Sequence, residues 1–228
     1  AEVHYDKFTR GRYATDASIY QMTPYGVLIP KTKSDLIETI NHAREAKIPL
    51  LARGGGTSQC GQTVNEAIVI DNSKFLNKIL DFNKEKMTCI VEPGIVLDEL
   101  NRFLKPFGVW FPVDVSTSSR ATIGGMAGNN SCGGRSIRYG MMRDNVLDIE
   151  AILFDGSTYN FGKIENNHIN SSSGGATKII VDLLKLAKDN QNEILSKFPK
   201  VLRRVGGYNI DALIPDAVSY THLRAHET

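Results

Sequence analysis

Two glycine-rich segments about sixty residues apart constrain this chain most: Arg53-Gly54-Gly55-Gly56-Thr57-Ser58 and Thr122-Ile123-Gly124-Gly125-Met126-Ala127-Gly128-Asn129-Asn130-Ser131. Each joins bare backbone to small hydroxyl or amide side chains, so consecutive N–H groups can converge on an anion. Two such loops in one compact domain imply a ligand with an extended phosphate group gripped from two sides, for which a dinucleotide is the natural candidate.

The common nucleotide motifs do not explain them. A dinucleotide-binding G-x-G-x-x-G must run from a strand into a helix. Here the last glycine of that pattern is replaced by Gln59, and a strand follows at 67–71. No Gly-Lys-Ser/Thr is present, which excludes a phosphate loop of the Walker type.

Hydrophobic periodicity places the loops in an α+β fold, with a small parallel βαβ piece and a larger, mostly antiparallel sheet flanked by helices. Residues 26–30, 48–52 and 67–71 read as strands. Between the first two, Leu36, Ile40 and Ala43 recur at helical spacing behind a Ser34 cap. Residues 78–82 and 87–92 read as a hairpin, broken by Pro93-Gly94. Val96, Leu97, Leu100 and Leu104 then form a helical face ending near Gly108. Strands over 146–154 and 157–161 bracket an Asp155-Gly156 turn, a polar loop spans 166–175, and 177–190 reads as a helix. Between Pro112 and Gly140 lie nearly thirty residues with little to pack a core, a long loop of the kind that carries ligands. Trp110 and Phe111 are expected in the core.

Composition narrows the function. Lys and Arg number 27 against 25 Asp and Glu, and a net charge of +2 predicts no broad attraction to nucleic acid or anionic lipid. Phosphate recognition must be local. The three cysteines, Cys60, Cys89 and Cys132, match no compact metal-ligand spacing, so no metal site is expected. No apolar run reaches the ~18 residues of a membrane span, and a cytoplasmic location, with at most a peripheral membrane association, is expected. His4, His42 and His168 are isolated and carry no expected catalytic role, with His42 on the solvated side of its helix.

The ordered series Arg53-Gly-Gly-Gly-Thr-Ser with Gly61, Glu92-Pro93-Gly94, Thr122-Ile-Gly-Gly-Met with Asn129, Asn130 and Gly133, Tyr139-Gly140 and Asp155-Gly156 resembles the FAD-binding domain of the vanillyl-alcohol-oxidase superfamily (PCMH type) from about Tyr13 to Phe161. Tyr13-Ala14-Thr15-Asp16-Ala17-Ser18 and Arg203-Arg204-Val205-Gly206-Gly207-Tyr208-Asn209 resemble its FAD-linked D-2-hydroxyacid dehydrogenase branch, whose members act on D-lactate, D-2-hydroxyglutarate or glycolate. The resemblance implies FAD as cofactor. Arg53, Gly54, Gly55, Gly56, Thr57, Ser58 and Gly61 would form one pyrophosphate cradle. Ser116, Thr117, Ser118, Ser119, Thr122, Ile123, Gly124 and Gly125 would close from the second side. Asn129, Ser131 and Tyr139 would lie beside the ribityl chain or ring, Pro93 and Gly94 would line the adenine end, and Tyr208 and Asn209 would begin the connection to a substrate domain. Relatives that bond the flavin covalently do so through histidine or cysteine at what look like Thr57 and Arg120, so non-covalent FAD is expected.

The implied function is the flavin portion of an oxidoreductase that removes hydride from a small D-2-hydroxy acid, with an electron acceptor the sequence does not name and a base that it does not identify. A flavin reductase of the same fold, or a non-catalytic phosphate- or nucleotide-binding module, is the alternative. The expected organisation is a lead-in over 1–20, an FAD-binding domain over 21–203 split near 92/93, a connection over 204–216, and a non-native tail over 217–228 that includes His222 and His226. The chain reads as an N-terminal fragment, unlikely to turn over alone. Any iron–sulfur cluster would belong to a further C-terminal region.

Overall fold

The computed structural model describes residues 1–162, 175–201 and 203–214. Most of the polar stretch around His168 and the whole 217–228 tail lie outside them.

The first lobe is built on a four-stranded sheet. Strand β1 (Glu2–His4) and helix α1 (Lys7–Arg12) precede β2 (Gly26–Ile29), α2 (Lys33–Glu45), β3 (Leu50–Arg53) and β4 (Ile68–Asp71). The spatial order is β1-β2-β4-β3, with β2, β4 and β3 parallel and β1 antiparallel at one edge. Strand β4 is central and reads as a continuous apolar run because both of its faces are covered: Ala67, Val69 and Ile70 are all buried. The parallel βαβ piece therefore holds, with two adjustments. Helix α2 starts earlier than Ser34, since Thr32 accepts the Asp35 N–H while the Asp35 carboxylate accepts the Thr32 N–H, a reciprocal cap worth about 1 kcal/mol. Strand β3 starts only at Leu50, because Pro49 has no N–H to give a ladder.

The second lobe joins a hairpin to a set of helices. Strands β5 (Ile79–Asn83) and β6 (Thr88–Val91) form the hairpin and α3 (Leu97–Leu104) follows. The helix tightens into a 3-10 turn over Lys105–Phe107 and stops at Gly108, whose φ of 76° suits glycine. Leu100 and Leu104 pack with Ile95 against Phe82, Cys89 and Val91 of the hairpin. Burial pushes the Cys89 thiol pKa up.

The 112–140 region departs from the expectation of a long loop with little core. It contains α4 (Ile123–Gly128) and α5 (Ser136–Tyr139), with α6 (Met142–Asn145) just beyond. Val113, Ala121 and Met126 join Leu97 and Met142 in a buried cluster. Small residues spaced between the two methionines let short helices approach closely, so few side chains suffice to fill that core. Trp110 is not core: it is 41% exposed, with the Arg135 guanidinium 5.0 Å from its ring and Tyr139 edge-on at 5.3 Å. Phe111 packs against both clusters.

Strands β7 (Asp148–Ile152) and β8 (Thr158–Gly162) form a second hairpin. The α+β class stands, but among the described residues the antiparallel portion is two separate hairpins rather than one larger sheet. The reason is that each is claimed by a different helix. The first lies on α3, while the second turns back to α2, where Arg44 donates to the Asp155 carbonyl and Lys33 pairs with Glu150 at 2.7 Å. A Cβ on Gly156, at φ 83°, would sit 2.4 Å from Asn41 Oδ1. Helices α7 (Gly175–Asp189) and α8 (Gln191–Lys197) end the described fold with a 3-10 turn over Ile210–Leu213. Ala187, Ile194 and Ile214 form their own small core. That unit is tied to the second lobe by Arg143, which donates to Asn209 Oδ1 at 2.9 Å, and by Arg203, which donates to the Gly133 carbonyl at 3.0 Å.

Candidate cofactor-binding site

The first glycine loop leaves the C-terminal end of β3, where the sheet ends and its backbone loses its ladder. The second loop enters α4 from Thr122, which accepts the Gly125 N–H as an N-cap and is almost wholly buried. The two loops touch. A Cβ on Gly54 would stand 2.1 Å from Thr122 Oγ1, and one on Gly55 would stand 2.2 Å from the Arg120 carbonyl oxygen. Glycine is required there for close approach rather than for dihedral freedom.

Between the loops lies a cavity of roughly 510 Å³. Of the residues expected to bind, Arg53 to Ser58, Pro93, Thr117, Thr122, Gly124, Gly125, Asn129 and Ser131 line it. Gly61, Gly94, Ser116, Ser118, Ser119, Ile123 and Tyr139 do not line its wall. Gly61, at φ 71°, turns the chain beneath Tyr20, and Gly94 packs against the Asn72 carbonyl. The Ser118 carbonyl accepts from Asp98 N–H, which fastens that stretch to α3. Tyr139 packs edge-on against Trp110. Tyr208 is 90% exposed, and Asn209 is engaged by Arg143. Sequence reasoning passed over Gln59, Cys60, Gln62, Thr63, Asn72 and Met126, which also line the cavity. Gln59 to Thr63 continue the first glycine loop, and that continuity was the available signal.

The donor set fits a phosphate-bearing group. Among the described residues none accepts a hydrogen bond from the backbone N–H groups of residues 54 through 59, six consecutive donors at the cavity wall. Among the described residues no Asp or Glu lines the cavity, and Arg53 is the one charged residue in its wall. Unpaired amides beside a cation, with no carboxylate among the described lining residues to repel an anion, suit a phosphate group.

Arg53 itself reaches back to the start of the chain. Nη1 donates to the carbonyls of Tyr13 at 3.3 Å and Thr63 at 3.1 Å, and Nη2 donates to that of Thr15 at 2.8 Å. Its guanidinium lies 5.1 Å from the Tyr13 ring centre. Burial pulls its pKa down, opposed by the charges around it. Tyr13 donates to Asp71 Oδ2 at 2.5 Å, and burial first, then that carboxylate, push the phenol well up, so it stays protonated. Asp16 accepts from Thr63 Oγ1 at 2.9 Å and from Ser18 N–H at 2.8 Å. Burial raises the Asp16 carboxyl, but these hydrogen bonds outweigh it and hold it below its ordinary range.

An α+β domain whose two lobes each contribute a glycine-rich loop to one cavity, without a Rossmann or Walker motif, defines a class of two-lobed cofactor-binding domains. Residues 24–162 match the family described as FAD binding domain, and the chain belongs to that family. It is 36% identical over 209 residues to D-2-hydroxyglutarate dehydrogenase of Pantoea ananatis, which covers 89% of this chain and 20% of the relative. It is 32% identical over 212 residues to the Escherichia coli enzyme of the same name, covering 90% and 21%, and 32% identical over 163 residues to glycolate oxidase subunit GlcD of Bacillus subtilis, covering 70% and 35%. The chain thus spans about a fifth of the length of the dehydrogenases it matches. The fold is shared with a solved alkyldihydroxyacetonephosphate synthase at a TM-score of 0.64 and 23% identity, over 73% of this chain and 33% of that one. A Physcomitrella patens BBE-like 1 variant matches at 0.64 and 18%, over 73% and 36%. Among the described residues no helix is long and apolar enough to cross a membrane.

Proposed function

We propose that this chain is the FAD-holding portion of an oxidoreductase acting on D-2-hydroxy acids, with the cofactor bound non-covalently. The observation that carries the reading is the row of six backbone donors at residues 54 through 59, opening into a cavity whose far wall is the second glycine loop. The similarity to two D-2-hydroxyglutarate dehydrogenases over about nine-tenths of the chain supports the substrate class.

Bound FAD supplies a two-electron acceptor for the hydride of the carbon that bears the hydroxyl. The chain's own part is to hold and orient. Residues 54 through 59 would hold the pyrophosphate through backbone N–H groups, and Thr57 and Ser58 would add hydroxyl donors. Thr122, Gly124 and Gly125 close the opposite wall; Pro93 would border the adenine, and Asn129 and Ser131 would offer amide and hydroxyl groups to the flavin. Thr57 and Arg120, at the positions where covalent attachment would occur, have no nucleophilic ring nitrogen or thiol, which favours non-covalent binding. Capture of the substrate carboxylate and removal of the hydroxyl proton belong to parts of the full-length protein that this chain does not include. The three free cysteines favour a reducing compartment such as the cytoplasm.

The test is the visible spectrum of the purified chain before and after FAD is added, followed by acid precipitation. Flavin bands that travel with the protein and leave in the acid supernatant are expected. A folded chain that takes up no FAD refutes the reading, and flavin that stays in the acid pellet refutes its non-covalent part.

A further inference from the structure

We propose that Arg53 is a positioning residue, and that the lead-in segment 13–18 is a brace on the outer side of the cofactor site's wall, which Arg53 clasps to the first glycine loop. The inference rests on the proposed FAD binding and specifies how the loop is held. It replaces the expectation that Arg53 is itself the pyrophosphate contact.

Both Nη1 hydrogen bonds and one from Nη2 end on backbone carbonyls, two of them in the lead-in and one at Thr63 beyond the loop. The same loop is pinned from outside by the Ala17 N–H, which donates to the Gly56 carbonyl at 3.1 Å, and by Asp16, which accepts from both the N–H and the hydroxyl of Thr63. A Cβ on Gly56 would fall 2.6 Å from Arg53 Nη2, so the guanidinium lies directly against the loop backbone. Tyr13 stacks on that guanidinium and is anchored to the sheet through the buried Asp71.

The arrangement has a purpose in physical terms. Six unpaired N–H groups repel one another and have no partner to fix their directions. The loop must therefore be stiffened by groups that leave those donors free, and carbonyls are the only backbone groups available for that. A planar guanidinium spreads its donors over separate nitrogens in a fixed fork, so Nη1 and Nη2 reach carbonyls on both sides of it, a span that the three donors of a single ammonium nitrogen do not cover. The lead-in lies outside the matched 24–162 region, and its side-chain and backbone contacts place it behind the first glycine loop.

The test titrates the full 228-residue chain with FAD, ADP and riboflavin, following flavin fluorescence or heat. Arg53→Lys keeps the charge and loses the clasp, while Arg53→Met loses both. Both variants are expected to weaken FAD and ADP by the same factor, about tenfold or more, the scale of one lost hydrogen bond to a charged group. Riboflavin, which lacks the pyrophosphate, is expected to bind as before, and the salt dependence of FAD binding to keep its slope in Arg53→Lys. Thr63→Val is expected to weaken FAD and ADP by a smaller factor that disappears in the Arg53→Lys background. Thr63→Val and Asp16→Asn disturb the clasp without emptying a buried site, so they carry the test if an Arg53 variant unfolds. Wild-type-like affinity in Arg53→Lys beside a loss in Arg53→Met makes Arg53 a direct charge contact and overturns the inference. An equal loss of riboflavin makes its role general to the fold and also overturns it. A wild-type chain that takes up no FAD overturns the proposed function itself, a result distinguishable from either.

Discussion

The contact between the two glycine loops makes a prediction that separates two neighbouring positions. An alanine at Gly54 brings its Cβ to 2.1 Å from Thr122 Oγ1, and one at Gly55 brings it to 2.2 Å from the Arg120 carbonyl oxygen. Ordinary contact begins at 3.4 Å, so either substitution forces the loops apart by about 1.3 Å. Overpacking of this kind costs about 1–3 kcal/mol, and the widened cavity should weaken FAD by roughly tenfold to a hundredfold. The two clashes differ in what can relieve them. Thr122→Ala deletes the atom that Gly54→Ala strikes, and the next obstacle, Thr122 Cβ, stands at a normal 3.4 Å. No side-chain change removes the Arg120 carbonyl. Thr122→Ala alone should cost about 1 kcal/mol through the lost N-cap. The Gly54→Ala/Thr122→Ala double variant should be no less stable than Thr122→Ala, while the Gly55→Ala/Thr122→Ala pair should show the sum of both losses. Urea denaturation and FAD titration of the five variants read this pattern. Failure of Thr122→Ala to rescue Gly54→Ala, or equal rescue of Gly55→Ala, would refute the contact argument.

Gly133→Ala should be the most disruptive glycine change in the second lobe, because its Cβ would lie 1.5 Å from the Asp114 carbonyl oxygen, and thermal melting should show a loss well beyond that of Gly54→Ala. Gly11→Ala meets nothing within 4 Å on α1 and should instead stabilise by about 0.5–1 kcal/mol in the same assay. Asp211 accepts from Arg204 at 2.5 Å and lies 3.6 Å from Arg143; burial raises its carboxyl, and the two cations more than reverse that. Asp16 and Asp211 therefore hold protons less tightly folded than unfolded, so the stability they give is complete above about pH 4 and lost as pH falls through their lower folded values. Urea midpoints measured from pH 6 down to about pH 2 should fall less steeply in Asp16→Asn and Asp211→Asn than in the wild-type chain.

The regular elements were legible where periodicity was strong. Strands β2 and β4, α3 ending at Gly108, and both hairpins lie within a residue or two of their sequence readings. Strand β1, α1 and α8 were not read, since they are short or polar and take their order from neighbours rather than from their own pattern. Helix α2 was misread by two residues at its start because Thr32, Ser34 and Asp35 all suit caps, and only the reciprocal bond decides among them. The short helices of the second loop were hidden because glycine and serine give no periodic signal. In the candidate site, the glycines announced the cavity, but the sequence treats Arg53 as a cation near phosphate, whereas two of its three carbonyl partners, Tyr13 and Thr15, lie about forty residues upstream and the third, Thr63, lies ten downstream. A hydrogen bond from a side chain to a distant backbone leaves no trace in the identity of its acceptor.

The second hairpin has a mechanical consequence. The lobes meet where Gly54 and Gly55 abut Thr122 and Arg120, and again where the 155–156 turn rests on α2. A body fastened at a single point can swing in any direction; one fastened at two separated points keeps only rotation about the line that joins them. The far fastening is made of exposed pairs such as Lys33 with Glu150, each worth well under about 1 kcal/mol. It acts as a tether that limits travel rather than as a weld. The far pair thus limits the directions in which the lobes can part to admit a cofactor, and the rate of cofactor exchange should respond to ionic strength through charges that do not line the cavity.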